Sequence, residues 1–501
     1  MLLSEILAGI AVKGVYDSHG REDVEILSNL HTTGLSTDSR KIMPGDVFLC
    51  IRGEHTDGHE FAAEAVSRGA VAVVAERFLP TSVPQIIVRS SRRAAAFMWN
   101  NRYLRPAEGM RIIAVTGTNG KTSVSCMIKS ILDAAGFRCG LVGTVECLAG
   151  DRVLSFGGGS EISDAAAAMT TPDPEFLYGM LREMKLCGVT HVVMEASSHA
   201  LAQEKLSPLT ADVAVFTGLS PEHLDYHGTM ENYLSAKSVL FRQARCGIIN
   251  FDDPYGAQLC RIATAPCTLV GTDPDVCRIT GDSPVSGIDG VEYVLRTEAG
   301  EVKIACAMPG RFGFYNSLLA ASAALKIGVS LNTIRQGLAD FRAVPGRMET
   351  VARWGRCSAI VDYAHTPEAL RGAVSIAAEG RQGRLWLLFG CGGDRDRTKR
   401  PEMGRIASEM ADFTIITSDN PRSEDRDVII ADIMGGFDKT RPYAVIPDRG
   451  DAIRYAVENM ADGDTLLLCG KGHEKYEITS AGKQPFDEVR ILRDAVENLR
   501  K

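Results

Sequence analysis

The chain has 501 residues, of which 45% are hydrophobic and 24% charged, and it carries a net charge of −8. This length predicts about three domains, and the acidic balance argues against a nucleic-acid-binding surface. No apolar run reaches the roughly 20 residues of a membrane span, and the N-terminus lacks a secretion signal, so we expect a cytoplasmic protein. The 13 cysteines show no CxxC pairing, which predicts reduced thiols and no zinc site.

Three series of apolar segments follow one another along the chain, each alternating with helical patterns. Buried strands that alternate with helices are typical of an α/β fold with parallel sheets, whose ligands bind at the carboxyl ends of the strands. The segments are 47–51, 70–76 and 85–89; then 111–118, 141–145, 191–196, 213–217 and 246–252; then 358–365, 385–391, 413–419, 443–448 and 465–472.

The candidate phosphate-binding segment is Arg111–Ser123, RIIAVTGTNGKTS. It is typical of a buried strand, a turn containing Gly117 and Gly120, and a helix that begins at Lys121. Backbone N–H groups of such a turn face an anion, Lys121 adds a positive charge, and the Thr122 hydroxyl can reach a phosphate-bound Mg²⁺. The segment therefore predicts nucleotide phosphate binding. A glycine-capped turn with a surface lysine is the alternative.

Three further residues are candidates whose patterns are less specific when each is taken alone. Glu195 ends a predicted strand, where a carboxylate can hold Mg²⁺ directly or through water, although a helix-capping acid is an equal alternative. His223 lies in PEHLDYHG, and most histidines in such loops are surface residues. Lys237 ends ENYLSAK on a helical pattern, where a solvated lysine is the ordinary interpretation.

Taken together, these segments resemble the Mur ligase family. The resemblance extends from TDSR (37–40) to GKGHE (470–474) and covers essentially the whole chain. Its main motifs are TGTNGKTS (Thr116–Ser123), MEASSHAL (Met194–Leu201), HLDYHGTMENYLSAK (His223–Lys237), PGRME (Pro345–Glu349) and DYAHTPEAL (Asp362–Leu370). It implies three domains: a small N-terminal α/β UDP-binding domain (1–105), a central parallel-sheet, P-loop ATPase-like domain (106–345) and a C-terminal Rossmann-like domain that binds an amino acid (346–501).

The resemblance also implies a set of nucleotide and metal ligands. In the family, the lysine that corresponds to Lys237 is carbamylated by CO₂, which turns a cation into an anionic ligand for a hard metal ion. Catalysis is assigned to Lys121, Glu195, His223 and Lys237, and Mg²⁺ to Thr122, Glu195, His223 and carbamylated Lys237. ATP is assigned to Gly117, Thr118, Asn119, Gly120, Lys121, Thr122, Ser123, Asn316, Arg347 and Asp362.

Two residues at or beside the predicted ligand contacts depart from the family pattern, one at the adenine site and one at the UDP-sugar dipeptide site. Gly313 stands where relatives often have an asparagine, so the adenine contact is expected from Asn316 alone. Lys205 stands where an arginine is usual, and a lysine keeps the charge but loses the planar bidentate grip. The predicted contacts to a UDP-sugar dipeptide are Thr37, Ser39, Glu54, His55, Thr56, Thr170, Thr171, Ser197, Gln203 and Lys205.

The motif DNPR (Asp419–Arg422) indicates which amino acid the protein adds. In the family it marks members that use meso-diaminopimelate, whose extra carboxylate an arginine can bind bidentately. An arginine after Asn-Pro could also be a simple turn residue. The predicted diaminopimelate contacts are Arg395, Asp419, Asn420, Pro421, Arg422, Gly470 and Glu474.

The resemblance implies an ATP-dependent amide ligase. ATP would phosphorylate the D-Glu γ-carboxylate of UDP-MurNAc-L-Ala-D-Glu, and the amine of meso-diaminopimelate would attack the acyl phosphate after domain closure. We expect a monomer. A lysine-adding Mur ligase and a folylpolyglutamate synthase are alternatives that DNPR and TDSR disfavour, respectively. A P-loop NTPase switch is the alternative from another class, and it would need neither Lys237 nor Arg422.

Overall fold

The computed structural model describes residues 1–53, 56–154, 169–287, 290–342, 344–379 and 381–499. The chain divides into two compact units. Unit one comprises Met1–Thr280 and Leu319–Ile334, and unit two comprises Gly281–Leu318 and Arg335–Lys501.

The N-terminal part of unit one forms a five-stranded sheet in the order β1-β5-β4-β3-β2, in which only β1 is antiparallel to its neighbour. Its strands are β1 (Val12–Tyr16), β2 (Leu35–Ser36), β3 (Val47–Leu49), β4 (Ala72–Ala75) and β5 (Gln85–Val88). The accompanying helices are Leu3–Ile6, Ile26–Asn29, Ala62–Ser67 and Ser91–Arg102, with 3₁₀ turns at Ser39–Lys41 and Gly58–Phe61.

A second sheet of unit one has the order β14-β13-β12-β11-β6-β10-β7-β8-β9, parallel from β14 to β7. Its strands are β6 (Arg111–Thr116), β7 (Cys139–Val142), β8 (Cys147–Ala149), β9 (Arg152–Val153), β10 (His191–Glu195), β11 (Ala211–Phe216), β12 (Ala244–Asn250), β13 (Cys267–Gly271) and β14 (Ile279–Gly287). The helices are Lys121–Ala134, Pro174–Leu186, Ser198–Ala202, Leu224–His227, Met230–Arg242 and Gly256–Ile262. Strand β14 and the helices Gly310–Lys326 and Leu331–Asp340 contain residues of both units.

Strand pairing in this sheet places three chain segments at one edge. In the register of β6 with β10, Val115 lies opposite Glu195, and in the register with β11, Thr116 lies opposite Phe216. All three strands are parallel, so their carboxyl ends meet. The loop after β6, the acid that ends β10 and the residue after β11, Thr217, therefore lie side by side.

Unit two contains a six-stranded sheet in the order β17-β18-β22-β19-β20-β21, in which only β17 is antiparallel. Its strands are β17 (Glu349–Trp354), β18 (Cys357–Asp362), β19 (Leu385–Phe389), β20 (Phe413–Ile416), β21 (Tyr443–Val445) and β22 (Thr465–Cys469). Two antiparallel hairpins are β15 (Gly290–Thr297) with β16 (Gly300–Cys306), and β23 (Tyr476–Thr479) with β24 (Gly482–Pro485). The remaining helices are Pro367–Glu379, Lys399–Met410, Arg426–Met434, Arg449–Asn459 and Glu488–Asn498.

Both faces of the six-stranded sheet are covered by helices. Leu387 and Phe389 of β19 pack in one apolar cluster with residues of the helices Pro367–Glu379 and Lys399–Met410, while Trp386 and Leu388 pack in a second cluster on the opposite face. This burial on both faces explains why the strand reads as continuous apolar sequence. The predicted α/β fold class is confirmed. Among the described residues, no helix is both long and apolar enough to span a bilayer.

Candidate active site

The phosphate segment forms the predicted strand, turn and helix, and glycine is required in its turn. Gly117 has φ +152° and Gly120 has φ +84°, both in the region that favours glycine. A Cβ at Gly117 would lie 1.9 Å from the Thr217 hydroxyl oxygen. That hydroxyl donates to the carbonyl oxygen of Asn119 at 2.5 Å. The loop is therefore held against the end of β11.

Lys121 is folded back over this loop. Its Nζ donates to the carbonyl oxygens of Gly117 (3.0 Å) and Thr118 (2.8 Å). The next residue, Thr122, donates its hydroxyl to Glu195 Oε2 at 3.1 Å. A lysine, a helix N-terminus and a hydroxyl thus lie together, as polyphosphate binding requires.

Glu195 is buried, with 1% of its surface exposed. Its Oε1 accepts from the Thr144 backbone N–H at 2.8 Å, and its Oε2 accepts from the Thr144 hydroxyl at 3.0 Å. A Cβ at Gly143 would lie 2.6 Å from Oε1, so a side chain there would displace this carboxylate. The alternative of a helix-capping acid is wrong, because the first helical turn after β10 is capped by the Ser197 hydroxyl.

Lys237 is a buried lysine whose hydrogen-bond and ring partners in the described structure are uncharged. It is 1% exposed, and its Nζ donates to the Gly117 carbonyl oxygen at 2.8 Å and lies 4.4 Å from the centre of the Tyr233 ring. Burial, reinforced by the nearby charge of Lys121, holds the pKa of Lys237 well below its ordinary value. The interpretation of Lys237 as a solvated surface lysine is therefore wrong.

Three histidines gather beside this lysine. The ring of His199 lies 4.8 Å from that of His223 and 5.5 Å from that of His227, centre to centre. The side chain of His223 is 45% exposed, and its backbone adopts φ +56°. His227 is buried, and its Nε2 forms a hydrogen bond with the Ser198 hydroxyl at 3.0 Å. Burial, together with the neighbouring charges of His199 and Lys237, lowers the pKa of His227 to about 4.

A cavity of about 360 Å³ is lined by Lys237, His199 and His223 together with five of the ten predicted dipeptide contacts. Lys205 lies at its wall, where its Nζ is 2.8 Å from Asp173 Oδ1 and 3.8 Å from Met169 Sδ. The amine that replaces the usual arginine is thus held by an acid. The lining comprises Lys121, Met169, Thr170, Thr171, Ser197, Ser198, His199, Gln203, Lys205, His223, Tyr233 and Lys237.

A larger cavity of about 470 Å³ lies elsewhere in unit one, at the N-terminal end of β6. Its wall includes Arg111, Asp212 and Arg245. None of the predicted site residues lines it, and the amino ends of parallel strands are not where such sheets bind ligands. The volume of a cavity therefore does not identify the candidate active site in this protein.

The predicted N-terminal contacts lie around the ends of β2 and β3. Thr37 and Thr56 are exposed, whereas Ser39 is buried and donates its hydroxyl to Glu64 Oε2 at 2.8 Å. The predicted contacts Glu54 and His55 lie outside the described residues.

The predicted adenine contact Asn316 is 4% exposed, on the helix Gly310–Lys326. Its Nδ2 lies 3.8 Å from Met308 Sδ. A Cβ at Gly313 would lie 1.9 Å from the Met308 carbonyl oxygen, so an asparagine there would collide with the backbone. The departure from the family pattern at position 313 thus has a steric cause.

Arg347 and Asp362 lie together in unit two. Asp362 accepts from the backbone N–H groups of Met348 and Ala364, each at 2.8 Å, and burial raises its pKa while Arg347 opposes that shift. The Arg347 guanidinium stacks over the Tyr363 ring at 4.9 Å, and its buried Nε has no hydrogen-bond partner in the described structure. That donor is available to a bound oxygen atom.

The predicted amino-acid contacts Asp419, Asn420, Gly470 and Glu474 form one buried cluster. The Asn420 Nδ2 donates to Glu474 Oε2 at 2.8 Å. A Cβ at Gly470, which has φ +113°, would lie 2.8 Å from Asp419 Oδ2. Burial raises the pKa of Glu474. The cluster presents two carboxyl groups at the carboxyl ends of β20 and β22.

The two predicted arginines flank Gly392. A Cβ there would lie 2.8 Å from Arg422 Nη1 and 3.8 Å from Arg395 Cγ. Arg422 adopts φ +54°, and its Nη1 donates to the Gly393 carbonyl oxygen at 2.8 Å. Pro421 lies between this arginine and Asn420, and Arg395 is exposed.

Sequence reasoning missed several residues of both clusters. Thr144 contacts Glu195 only because the chain folds back on itself, so no local signal marks it. Tyr233 lies one helical turn before Lys237 in the motif ENYLSAK, and that i, i+4 spacing was the signal available for it. His199 lies in the motif MEASSHAL, and Lys471 lies in the motif GKGHE. Both motifs support the resemblance, so the presence of a histidine and a lysine in them was the available signal.

Comparisons with known proteins match three successive ranges of the chain. Family models match at residues 31–98 (Mur ligase family, catalytic domain), 115–324 (Mur ligase middle domain) and 346–472 (Mur ligase, glutamate ligase domain). The chain is 40% identical over 478 residues, 93% of its length, to the UDP-N-acetylmuramoyl-L-alanyl-D-glutamate--2,6-diaminopimelate ligase of Geobacillus kaustophilus (strain HTA426), covering 95% of that protein.

Two further relatives span all or nearly all of the chain. The enzyme of the same name from Caldanaerobacter subterraneus subsp. tengcongensis is 38% identical over 505 residues, with complete coverage of both chains. A solved structure of a UDP-N-acetylmuramoyl-L-alanyl-D-glutamate--2,6-diaminopimelate ligase superposes with a TM-score of 0.69 at 30% identity, covering 97% of this chain and 98% of that one.

Proposed function

The chain belongs to the Mur ligase family, and on that premise we propose that it is the ATP-dependent ligase that adds meso-diaminopimelate to UDP-MurNAc-L-Ala-D-Glu. This step lies in peptidoglycan precursor synthesis, on which cell-wall biogenesis, cell shape and division depend. The observation that carries the proposal is the second-unit cluster: Asp419 and the partly buried Glu474 supply two carboxyl groups, and Arg422 Nη1 donates at 3.4 Å to the carbonyl oxygen of Asn420, whose side chain donates to Glu474. An amino acid with ammonium and carboxylate groups at its far end matches that charge pattern.

We propose the three-domain organisation with boundaries at about residues 105 and 345. The three larger sheets of the described structure and the ranges of the three family-model matches support this division. The assignments of a UDP-sugar contact surface to residues 1–105 and of a monomeric, cytoplasmic state stay predictions.

ATP is proposed to bind with its phosphates at the turn Gly117–Gly120. The backbone N–H groups at the start of the helix Lys121–Ala134 and the Lys121 ammonium offset charge on the transferred phosphoryl group. The D-Glu γ-carboxylate attacks the γ-phosphorus, the bond to the β-phosphate oxygen breaks, and ADP leaves. The products of this step are an acyl phosphate and ADP.

The donor set of this site suits Mg²⁺, which prefers oxygen ligands. Thr122 and Glu195 are hydrogen-bonded to each other beside the loop, and His223 lines the same cavity as Lys237. The described residues contain no group of three or more His, Cys, Asp or Glu side chains that could hold a metal ion. A carbamate on Lys237 would add an anionic oxygen ligand to this set, and phosphate oxygens and water would complete the coordination. Bound Mg²⁺ would offset the charge of the phosphate oxygens.

Carbamylation of Lys237 is supported by its surroundings. The reaction joins the neutral amine to CO₂ and releases one proton, so it needs an unprotonated Nζ. The side chain is buried against Tyr233 and Gly117 and has no carboxylate within ion-pair distance in the described structure. Such a site disfavours the ammonium form and so favours the amine that reacts.

The second chemical step is amide formation. The amine of diaminopimelate attacks the acyl carbon and forms the C–N bond of a tetrahedral intermediate. The intermediate then collapses as its C–O bond to phosphate breaks, phosphate leaves and the nitrogen loses a proton. Arg422 and Arg395 are proposed to bind the far carboxylate, and Asp419 and Glu474 the far ammonium group. The remaining dipeptide contacts are proposed at the cavity lined by Thr170, Thr171, Ser197, Gln203 and Lys205.

The test is ATP turnover, measured as phosphate release, with UDP-MurNAc-L-Ala-D-Glu and a panel of amines. The proposal expects turnover that depends on both the dipeptide and meso-diaminopimelate, with L-lysine and L-glutamate inactive. Turnover without any carboxylate acceptor would favour a P-loop switch, and turnover with lysine alone would favour a lysine-adding ligase. Either outcome would contradict the proposal.

A further inference from the structure

Lys471 is a fully buried lysine in the middle of the amino-acid cluster. None of its surface is exposed. Its Nζ donates to Asn420 Oδ1 at 3.0 Å and to the Tyr476 carbonyl oxygen at 2.8 Å. Burial of a lysine in a protein interior is costly unless its charge and its donors are satisfied, so the position needs an explanation.

The contact with Asn420 decides which way that amide points. Asn420 Oδ1 accepts from Lys471 Nζ and also from the backbone N–H of Ile478 at 2.9 Å. With two donors facing the oxygen, the amide nitrogen must face the other way, where it donates to Glu474 Oε2 at 2.8 Å. Lys471 therefore orients Glu474 through Asn420.

The positive charge of Lys471 also attracts the two carboxyl groups of the cluster. Its Nζ lies 3.7 Å from Asp419 Oδ1 and 4.0 Å from Glu474 Oε2. The next cation, Arg449, is already in a buried pair with Glu488, at 2.7 Å. Burial lowers the pKa of Lys471, and the charge of Asp419 opposes that shift. One lysine thus lies between two acids that would otherwise repel each other.

The surroundings of Asp419 indicate that a ligand binds at this cluster. It is 6% exposed, and its Oδ1 has no hydrogen-bond partner in the described structure. A buried carboxylate oxygen without a donor is costly, and such an oxygen near a binding surface is commonly satisfied by the ligand. An ammonium group of the amine substrate would satisfy it.

We propose that Lys471 is a positioning residue for the amine substrate: it fixes the Asn420 amide and the spacing of Asp419 and Glu474, so that both acids receive the far ammonium group. The proposal rests on the proposed function. It predicts that Lys471 determines the affinity for the amine and has little part in phosphoryl transfer, because Lys471 reaches the substrate only through its neighbours.

The test compares Lys471→Met, which keeps the length of the side chain but removes its donors, with Lys129→Met, which removes another buried lysine, paired with Asp133 at 2.6 Å. Steady-state kinetics are measured for all three substrates, using the amine that the wild type uses best. Lys471→Met should raise the KM for the amine at least tenfold, while kcat and the KM values for ATP and UDP-MurNAc-L-Ala-D-Glu stay within threefold. Lys129→Met should leave the KM for the amine unchanged.

A double-mutant cycle with Asn420→Ala tests whether Lys471 acts through that amide. The effect of Lys471→Met on the KM for the amine should be at least threefold smaller in the Asn420→Ala background than in the wild type, because the part that acts through the amide is already lost there and only the direct effect of the charge on Asp419 and Glu474 remains. Additive effects, or equal increases in all three KM values, would overturn the proposal. Lys471→Gln, which keeps an N–H donor without the charge, is measured in the same way and covers the case in which Lys471→Met does not fold. A wild type that uses no amine would overturn the proposed function itself.

Discussion

The Nζ of Lys237 donates to the carbonyl oxygen of Gly117 at 2.8 Å. This bond joins the helix Met230–Arg242 to the first residue of the phosphate turn. Because the lysine is buried, a change of its charge alters the electrostatic potential at the turn with little screening by water. The amine form is compatible with this contact, and a carbamate would place an anion beside the same loop.

Lys237→Ala should therefore lose activity by about 100-fold or more, the range found when one electrostatic contribution to a transition state is removed. Bicarbonate or a short-chain carboxylate should restore part of the lost turnover, because the anion can occupy the space that the side chain leaves. The measurement is phosphate release with saturating substrates. The same additions should not restore Lys121→Ala, and a Lys237→Ala enzyme with near wild-type turnover would refute the carbamate.

Lys121→Ala should abolish acyl phosphate formation while leaving UDP-MurNAc-L-Ala-D-Glu binding within about twofold. Lys121 lies over the phosphate turn, whereas the uridine contacts are expected in residues 1–105. Calorimetry with ATP and with the dipeptide nucleotide measures the two affinities separately. Lys129→Ala, on the same helix, is the matched control and should bind both ligands normally. Equal loss of both ligands in Lys121→Ala would contradict the division into domains.

Much of this architecture could be predicted because its strands are buried on both faces. Strands β6, β10 and β19 read as continuous apolar runs, and the expected strands were found with ends shifted by a few residues. The hairpin β15–β16 was missed. Its buried and exposed residues alternate along β15, which is the period of a half-buried antiparallel strand and carries a weaker signal than an apolar run.

The site was predictable where a motif is local and unpredictable where it depends on contacts between distant segments. The turn Gly117–Gly120 could be predicted from the spacing of its glycines and the lysine that follows them. Thr144, which holds Glu195 from 51 residues away in sequence, does not. Lys471 could be seen in GKGHE, but its role follows from complete burial and from the orientation of an amide, and neither is encoded in spacing.

The acid stability of unit two should depend on Glu424. Its hydrogen bond with Arg400, a fully buried arginine, lowers the pKa of Glu424 to about 2. A carboxyl group whose folded-state pKa lies below its unfolded value stabilises the fold above the unfolded pKa of about 4.5, and this contribution is lost as the pH falls towards 2. Glu424→Gln should therefore destabilise the protein more at pH 7 than at pH 3.

The expected cost at pH 7 is about 1.5–3 kcal/mol, because Arg400 loses charge-assisted hydrogen bonds while keeping Asp432. Urea unfolding at both pH values measures it. Glu409→Gln, which breaks an exposed pair with Arg405, is the control and should cost less than about 1 kcal/mol at either pH. A Glu424→Gln cost that is equal at pH 7 and pH 3 would refute the assignment of the shift to the folded state.

The choice between diaminopimelate and lysine should depend on Arg422. The two amines differ by one carboxylate at the far end, and the guanidinium that would detect it is held by the Gly393 carbonyl oxygen at 2.8 Å, next to Gly392, where a Cβ would lie 2.8 Å from the Arg422 Nη1. A charge-assisted hydrogen bond contributes about 1.5–3 kcal/mol, and an arginine left unpaired adds a desolvation cost. Since 1.4 kcal/mol is tenfold, the wild type should prefer diaminopimelate by at least about 100-fold.

Arg422→Ala should remove most of this preference by weakening the use of diaminopimelate, with the KM values for ATP and UDP-MurNAc-L-Ala-D-Glu changed less than about threefold. Arg395→Ala should have a smaller effect in the same direction, because Arg395 is exposed and its charge is screened by water. The measurement is kcat/KM for both amines in the wild type and the two variants, with Arg405→Ala as a surface-arginine control. A wild type that uses lysine as well as diaminopimelate would refute the role of Arg422 in specificity and leave the ligase assignment standing.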